Sequence, residues 1–435
     1  MSRPSTTSAI RELASLVQGP LRRVFAATLI NALGNGMTLT LFVVYLTQVR
    51  DLRISQATGL LASMSVLSFI CSPLSGTLID KFGPRRLLMV TLPMMAVGVT
   101  AIGHIRSFTD ALLVGIVTSV AGSGNWSAQS TLVSRMVTEE QRQKVFGLNF
   151  MILNFGIGAG GLISASIVSL QDPSTFEKLY LIDGCSFVIV WAIVASLRGH
   201  GGPSPAALDA DGVAIASRGW GFVLRDRLLL RYMVAALLLV VCGYGNMEAG
   251  LSYFVTTTVD LPVSRIGIIL AANTAAIVIA QAFVLARIQG RSRSRLLMVV
   301  GLLWAVSWVM AATSAFAGPA LALVILCAGQ VVFALGETIW APVAPAMVND
   351  MAAEDVRGRY NSAQSLLWTV AGTIAPMVAG AFLQRGEGFL WLTSLVAGCL
   401  VAAFVFADLR HRVGAKVDGL VEPGSPQSTA TPAGA

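Results

Sequence analysis

Three carboxylates fall inside long apolar runs of this chain: Asp183, Glu248 and Glu337. An ionisable group inside hydrocarbon is costly to keep, so each is a functional candidate by default. Burial favours the neutral form of a carboxyl group, which lets such a side chain take up and release a proton during a working cycle. Glu248 has Tyr244 and Ser252 four residues to either side, one polar stripe on an apolar helix. Glu337 shares its helix face with Gln330, Phe333 and Trp340. Asp183 stands about five residues from the end of its run, where snorkelling to a wet surface is the competing use. For all three the alternative is a buried acid hydrogen-bonded across helices. Asp110, at the start of a run, is expected to cap a helix.

Amides and aromatics recur at helical spacing as Asn31 and Asn35, as Asn125, Trp126 and Gln129, and as Asn361, Gln364 and Trp368. Such steps put each set on one side of a helix. With Tyr244, Gln330 and Trp340 they are candidates to line a cavity suited to amphipathic, lipophilic molecules; bonding between helices is the other use open to them. The cysteines Cys71, Cys185, Cys242, Cys327 and Cys399 sit in apolar runs as small hydrophobes. They do not group with His104, His200 and His411 at metal-ligand spacing. Neither a metal nor a disulfide framework is expected. The absence of clustered nucleophile and base argues against an enzyme.

Long helices must hold these side chains. Of 435 residues, 55% are hydrophobic and 12% charged, against about 25% charged in soluble domains, so the chain reads as a polytopic membrane protein. Apolar runs of bilayer length lie near 24–48, 56–79, 87–105, 110–133, 145–170 and 178–197, then near 229–258, 264–288, 296–315, 319–345, 358–383 and 388–408. The expected organisation is a cytoplasmic segment 1–23, a six-helix bundle 24–197, a linker 198–228, a second six-helix bundle 229–408 and a disordered tail 409–435. At the linker's end Trp220, Phe222, Val223 and Leu224 beside Arg218, Arg225 and Arg227 suit a short helix on a membrane surface. The polar stretch before the first run is too long for a signal peptide, so that run stays as a span.

With the N-terminus inside, only Arg50, Arg53, Arg106, Lys178, Arg265 and Arg385 of the 30 Lys and Arg fall outside. Positive loops stay cytoplasmic, which predicts a multi-pass plasma-membrane protein with both termini in the cytoplasm. The net charge of +8 is scattered among these loops, so no nucleic-acid partner is implied.

The halves echo each other in order. RLLMV occurs at 86–90 and at 295–299; Gly122 and Trp126 match Gly336 and Trp340; Glu139, Glu140 and Arg142 match Glu354, Asp355 and Arg357. The loop after the second run reads GTLIDKFGPRR from Gly76 to Arg86. Gly76 permits close helix approach, Asp80 stands at a helix end where it can pair with a base, Gly83 and Pro84 reverse the chain, and Arg85 and Arg86 anchor the basic face.

This loop resembles the signature of the major facilitator superfamily, and the likeness extends over nearly the whole chain. It implies an all-α membrane protein of twelve transmembrane helices in two pseudo-symmetric six-helix bundles, with a substrate site near the midplane and alternating access by rocking of the halves. It also implies that Gly76, Asp80, Gly83, Arg85 and Arg86 form a gating latch that stabilises the outward-open state. The second-half counterpart, RIQGRSRSR at 287–295, puts Gln289 opposite Asp80, so that latch is expected to be degenerate.

The likeness to bacterial multidrug exporters is partial. Gly122 and Gly124 keep a Gly-x-Gly, with Thr118 where those exporters carry an arginine. Gly147, Gly156, Gly158, Gly160 and Gly161 echo a glycine-rich fifth helix, with Gly161 in place of proline. The resulting expectation is proton-coupled export of small amphipathic molecules, driven by the proton gradient without a cofactor. A monomer is expected, with its substrate and the bilayer as partners. The alternatives are movement of one dedicated metabolite, lipid or siderophore in either direction, or a non-transporting sensor or scaffold.

Overall fold

The computed structural model describes residues 17–203, 218–247 and 249–420. Among them the regular elements are helices, with no strand. In chain order they are α1 (Gly19–Thr38), α2 (Ile54–Phe82), α3 (Pro84–Ile102), α4 (Phe108–Gly122, resuming at Asn125–Met136), α5 (Glu139–Ile167) and α6 (Ser174–Ser196). The second half holds α7 (Arg227–Cys242, with the described stretches Tyr244–Met247 and Ala249–Thr257 following), α8 (Ser264–Ile288), α9 (Arg293–Ser314), α10 (Pro319–Met351), α11 (Arg357–Leu383) and α12 (Gly388–Leu409). Among the described residues eleven helices are long and apolar enough to cross a bilayer. The fourth falls short because it breaks at Ser123 and Gly124 into pieces of 15 and 12 residues. This is the all-α membrane architecture that the apolar runs predict.

Helices form because backbone polar groups in hydrocarbon must bond within their own segment. Where proline interrupts that ladder, a neighbouring helix repairs it. Pro93 in α3 frees the Met89 carbonyl one turn earlier, and Trp191 of α6 donates to that oxygen through Nε1 at 3.2 Å. Pro342 in α10 frees the Thr338 carbonyl, which Gln281 of α8 reaches through Nε2 at 3.2 Å.

The buried apolar side chains form one cluster within α1–α6 and another centred on α7–α12. In the first half α1 packs on α5 and α6, and α3 on α6; in the second, α9 packs on α10 and α12, and α7 on α12. The α1–α5 contact is backbone to backbone: a Cβ on Gly160 would stand 2.2 Å from the Leu33 carbonyl oxygen, which only glycine avoids. Between the halves, α2 lies along α11 while α5 meets α8 and α10. These crossings bring the end of α2, the start of α5 and the α10–α11 junction to one end of the bundle. That end also holds Lys81, Arg85, Arg86, Arg135 and Arg142, and is called the basic end below.

A four-residue helix, Trp220–Val223, forms where the linker sequence suggests one. Residues 410–420 correct the expectation of a disordered tail. Asp418 is 2% exposed, and its carboxylate accepts from the Ser294 N–H and hydroxyl, both at 2.8 Å, at the start of α9. One well-placed helix-capping carboxylate docks this segment, a local event that average composition hides. The rest of the tail, from 421 onward, lies outside the described residues.

Candidate functional site

The last turn of α2 aims Asp80 at the start of α11. Its Oδ1 accepts the Gly358 N–H at 2.6 Å, and its Oδ2 accepts the Arg359 N–H at 3.2 Å and the Arg359 guanidinium at 3.0 Å. Those N–H groups are orphan donors of a helix start, where the helix dipole also favours an anion. Two glycines permit the approach: a Cβ on Gly76 would lie 2.7 Å from the Ser362 Cβ, and one on Gly358 would lie 2.6 Å from Asp80 Oδ1. Gly83 then turns the chain at φ 91°, a backbone that L side chains avoid. Arg85 stays within its own half, donating to the Val194 and Ala195 carbonyls of α6 at 3.1 and 2.7 Å. Arg86 is exposed. Of the five motif residues, Gly76 and Asp80 therefore touch the other half, Gly83 and Arg85 shape the loop, and Arg86 faces outward.

Further bonds clasp the halves beside Asp80. The Ser72 and Ser362 hydroxyls are 3.1 Å apart and those of Ser127 and Ser365 2.8 Å. Ser130 donates to Asn361 Oδ1 at 2.7 Å, and Asn361 Nδ2 donates to Asn349 at 2.9 Å and Thr131 at 3.2 Å. Opposite the Asp80 clasp, Gln289 carries a buried Nε2 with no hydrogen-bond partner. Asp350 of α10 serves there instead, joining Arg142 of α5 and, at 2.6 Å, Arg293 of α9. The side chains of this triad are all 5% exposed or less.

The linker adds a strap. Trp220 Nε1 donates to Thr77 Oγ1 and the Pro73 carbonyl of α2 at 3.1 and 3.2 Å. Arg218 grips Asp355, just before α11, at 2.9 and 2.6 Å. That bonded carboxylate holds the Arg218 guanidinium above its ordinary pKa.

Between the halves lies a cavity of about 480 Å³, lined by Trp126, Phe146, Phe150, Tyr244, Trp340 and Trp368 with Asn149 and Gln364. A second cavity, about 360 Å³, lies inside the first half and is lined by Asn31, Asn35, Asn125, Gln129 and Asn149. Trp126, Phe146, Asn149 and Leu153 border both. The aromatic wall is interlocked, with the Tyr244 ring edge-on to Trp368 at 4.9 Å and to Trp304 at 5.1 Å.

Two residues expected on the wall stand elsewhere. Asn361 is 1% exposed and engaged in the clasp. Gln330 is 3% exposed, away from both cavities. Ten residues before Trp340, it is rotated by roughly 80° around α10, so the shared face read from three- and four-residue steps drifts away over that length.

Glu337 is 3% exposed, and its Oε2 accepts Asn273 Nδ2 at 2.6 Å. The Tyr244 side chain lies against this carboxylate and lines the central cavity, so one side chain separates Glu337 from that cavity. Asp183 is no surface group: it is 2% exposed and accepts from Thr38 Oγ1 at 2.6 Å and Ser186 Oγ at 3.4 Å. Glu248 lies outside the described residues. Among the described residues no three His, Cys, Asp or Glu side chains assemble at a metal-binding distance. Gly358, Arg359, Asn349, Asp350 and Asn273 escaped the sequence reading. The Glu354-Asp355-Arg357 echo marks their loop, but no spacing shows which helix it meets.

The family model described as Major Facilitator Superfamily matches residues 24–325 and 242–426. A protein of Escherichia coli K12, described as the uncharacterized MFS-type transporter YdeE, is 24% identical over 369 residues, covering 83% of this chain and 88% of that protein. The multidrug efflux pump Tap of Mycolicibacterium fortuitum is 24% identical over 386 residues, covering 83% and 89%. Among solved structures, a bacterial homologue of the iron transporter ferroportin in an outward-facing state superposes with a TM-score of 0.75 at 16% identity, covering 91% of this chain and all of that one.

Proposed function

Because this chain belongs to the major facilitator superfamily, and is thus a multi-pass membrane transporter, we propose that it exports small amphipathic molecules in exchange for protons by alternating access. The observation that carries this reading is the central cavity: both halves contribute aromatic rings to it, amides supply its polar contacts, and a polar clasp closes it toward the basic end. Apolar walls with a few fixed hydrogen-bonding groups suit an amphipathic ligand. In this reading the positive loops face the cytoplasm, and the described form is then the one closed to the cytoplasm. The naming of a similar protein as a multidrug efflux pump supports export.

In this reading Glu337 couples the proton to the substrate through Tyr244. Ionised, it holds the amide of Asn273 and attracts the hydroxyl of the neighbouring Tyr244. A proton arriving from outside cancels that charge, lets Tyr244 turn within the wall it shares with Trp368, and releases the bound molecule. Reopening toward the cytoplasm then requires α2 to leave α11.

The test is proton flux in proteoliposomes under an imposed pH gradient while lipophilic cations and neutral aromatic drugs are added in turn. The expected result is proton release evoked by several of them, lost in Glu337→Gln although binding, read by tryptophan quenching, persists. Substrate movement without proton flux would refute the coupling, and movement of one compound alone would favour a dedicated exporter.

A further inference from the structure

We infer that Asp183 is a second proton-binding site, placed in the first half between the Glu177–Arg50 pair, at the end of the bundle opposite the basic end, and the first-half cavity. The inference rests on the proton-exchange reading above and adds to it a carboxylate remote from Glu337.

Three observations carry it. The first is charge. Asp183 is 2% exposed, and its hydrogen bonds come from the hydroxyls of Thr38 and Ser186. The helices packed on α6 offer it no cation: the bases of α1 are Arg22 and Arg23, and those of α3 are Arg85 and Arg86, all at the basic end. On α6 itself Glu177 and Lys178 lie in the first turns, and Arg50 follows the extension of α1. Tyr180, one turn earlier on α6, interacts with Asp183 on one side and with Tyr45 on the other. A carboxylate left this way in a low-dielectric interior is stable when it carries a proton.

The second is placement. Glu177, Tyr180, Asp183 and Ser186 succeed one another at three-residue steps along α6. Glu177 is 39% exposed and pairs with Arg50 at 3.1 Å; Arg50 donates to the Tyr45 hydroxyl at 2.7 Å; the Tyr45 and Tyr180 rings are 5.3 Å apart. The Tyr180 hydroxyl is buried without a hydrogen-bond partner, an orphan next to Asp183. Beyond Asp183, Ser186 meets Asn31 of the first-half cavity at 3.5 Å.

The third is a joint. Thr38 ends the regular part of α1, where the chain tightens into a 3-10 turn (Leu39–Leu41). Its hydroxyl also lies 3.3 Å from the Asn35 carbonyl. Protonating Asp183 frees that hydroxyl to return to its own helix, so the proton state is read out at a helix break.

The experiment is infrared difference spectroscopy across a pH titration of the full chain in phosphatidylethanolamine and phosphatidylglycerol vesicles. It needs no substrate. Wild type should show two protonated-carboxyl bands, one lost in Asp183→Asn and the other in Glu337→Gln. Thr38→Val, which keeps the carboxyl, should shift the first band without removing it, which guards against a folding defect in Asp183→Asn. Spectra identical in wild type and Asp183→Asn would overturn the site. A first band that disappears on adding sodium at constant pH would overturn the proton in favour of sodium. If the Asp183 band stands but no substrate-linked proton flux is found, the exchange reading has failed and the site has not.

Discussion

Replacing Asp80 with Asn tests whether the clasp sets the balance between the two access states. The substitution keeps the shape of the side chain and removes its charge. The bond to the Gly358 N–H loses its ionic part, worth about 1 kcal/mol, and the interaction with the α11 dipole, a further 0.3–1 kcal/mol or so. Arg359, whose side chain is 8% exposed, is left without its anion, which costs about 3 kcal/mol when a buried pair is broken on one side. These contributions overlap, and opening lets Arg359 reach water, so a net loss of about 2–4 kcal/mol from the closed basic end is the working figure. At about 1.4 kcal/mol per tenfold, the ratio of closed to open should fall by roughly 30- to 700-fold. Nitroxides on Arg86→Cys and Arg295→Cys, both exposed and on opposite halves, in a background without the native cysteines, read that ratio as a distance distribution. Gly358→Ala changes no charge but sets a Cβ 2.6 Å from Asp80 Oδ1 and 2.8 Å from the Gly76 carbonyl oxygen, and should open the same end. Distances unchanged in both variants, with the protein folded, would refute the clasp as a determinant of access.

Other perturbations separate the parts. Asp350→Asn leaves Arg142 and Arg293 buried together without their shared anion and should lower stability by about 3–5 kcal/mol, read as a fall in Tm in detergent; an unchanged Tm would show that the triad is idle. Trp368→Ala removes a ring from the central wall and should weaken substrate binding about tenfold, measured by equilibrium dialysis, with little change in Tm. Asp418→Ala should cost about 1 kcal/mol through the lost α9 cap and speed proteolysis after Arg412, while transport stays at the wild-type rate.

Much of the architecture is legible along the chain because a bilayer imposes length and apolarity on each span separately. The runs near 264–288 and 388–408 match α8 and α12 within a residue at each end. The Gly76–Arg86 loop is legible for the same reason, since a tight reversal between two spans needs glycine and proline whatever lies across from it. Periodicity also groups side chains that share a short stretch of helix, which is why Asn31 with Asn35, and Trp126 with Gln129, do border a cavity. Over ten residues of α10 the same reasoning misplaces Gln330.

The partner across the interface is another matter. Nothing near Asp80 in sequence announces Arg359, 279 positions away, and nothing in the runs separates the wet side of α6 from the buried side that takes Asp183. The succession of long apolar helices and the motif loop follow from the sequence alone, because they depend on local composition and on the medium. Which carboxylate finds a base, which finds only hydroxyls and which amides stay free to face a cavity were decided by the tertiary structure, because those outcomes depend on how all the helices turn about their axes when they pack together.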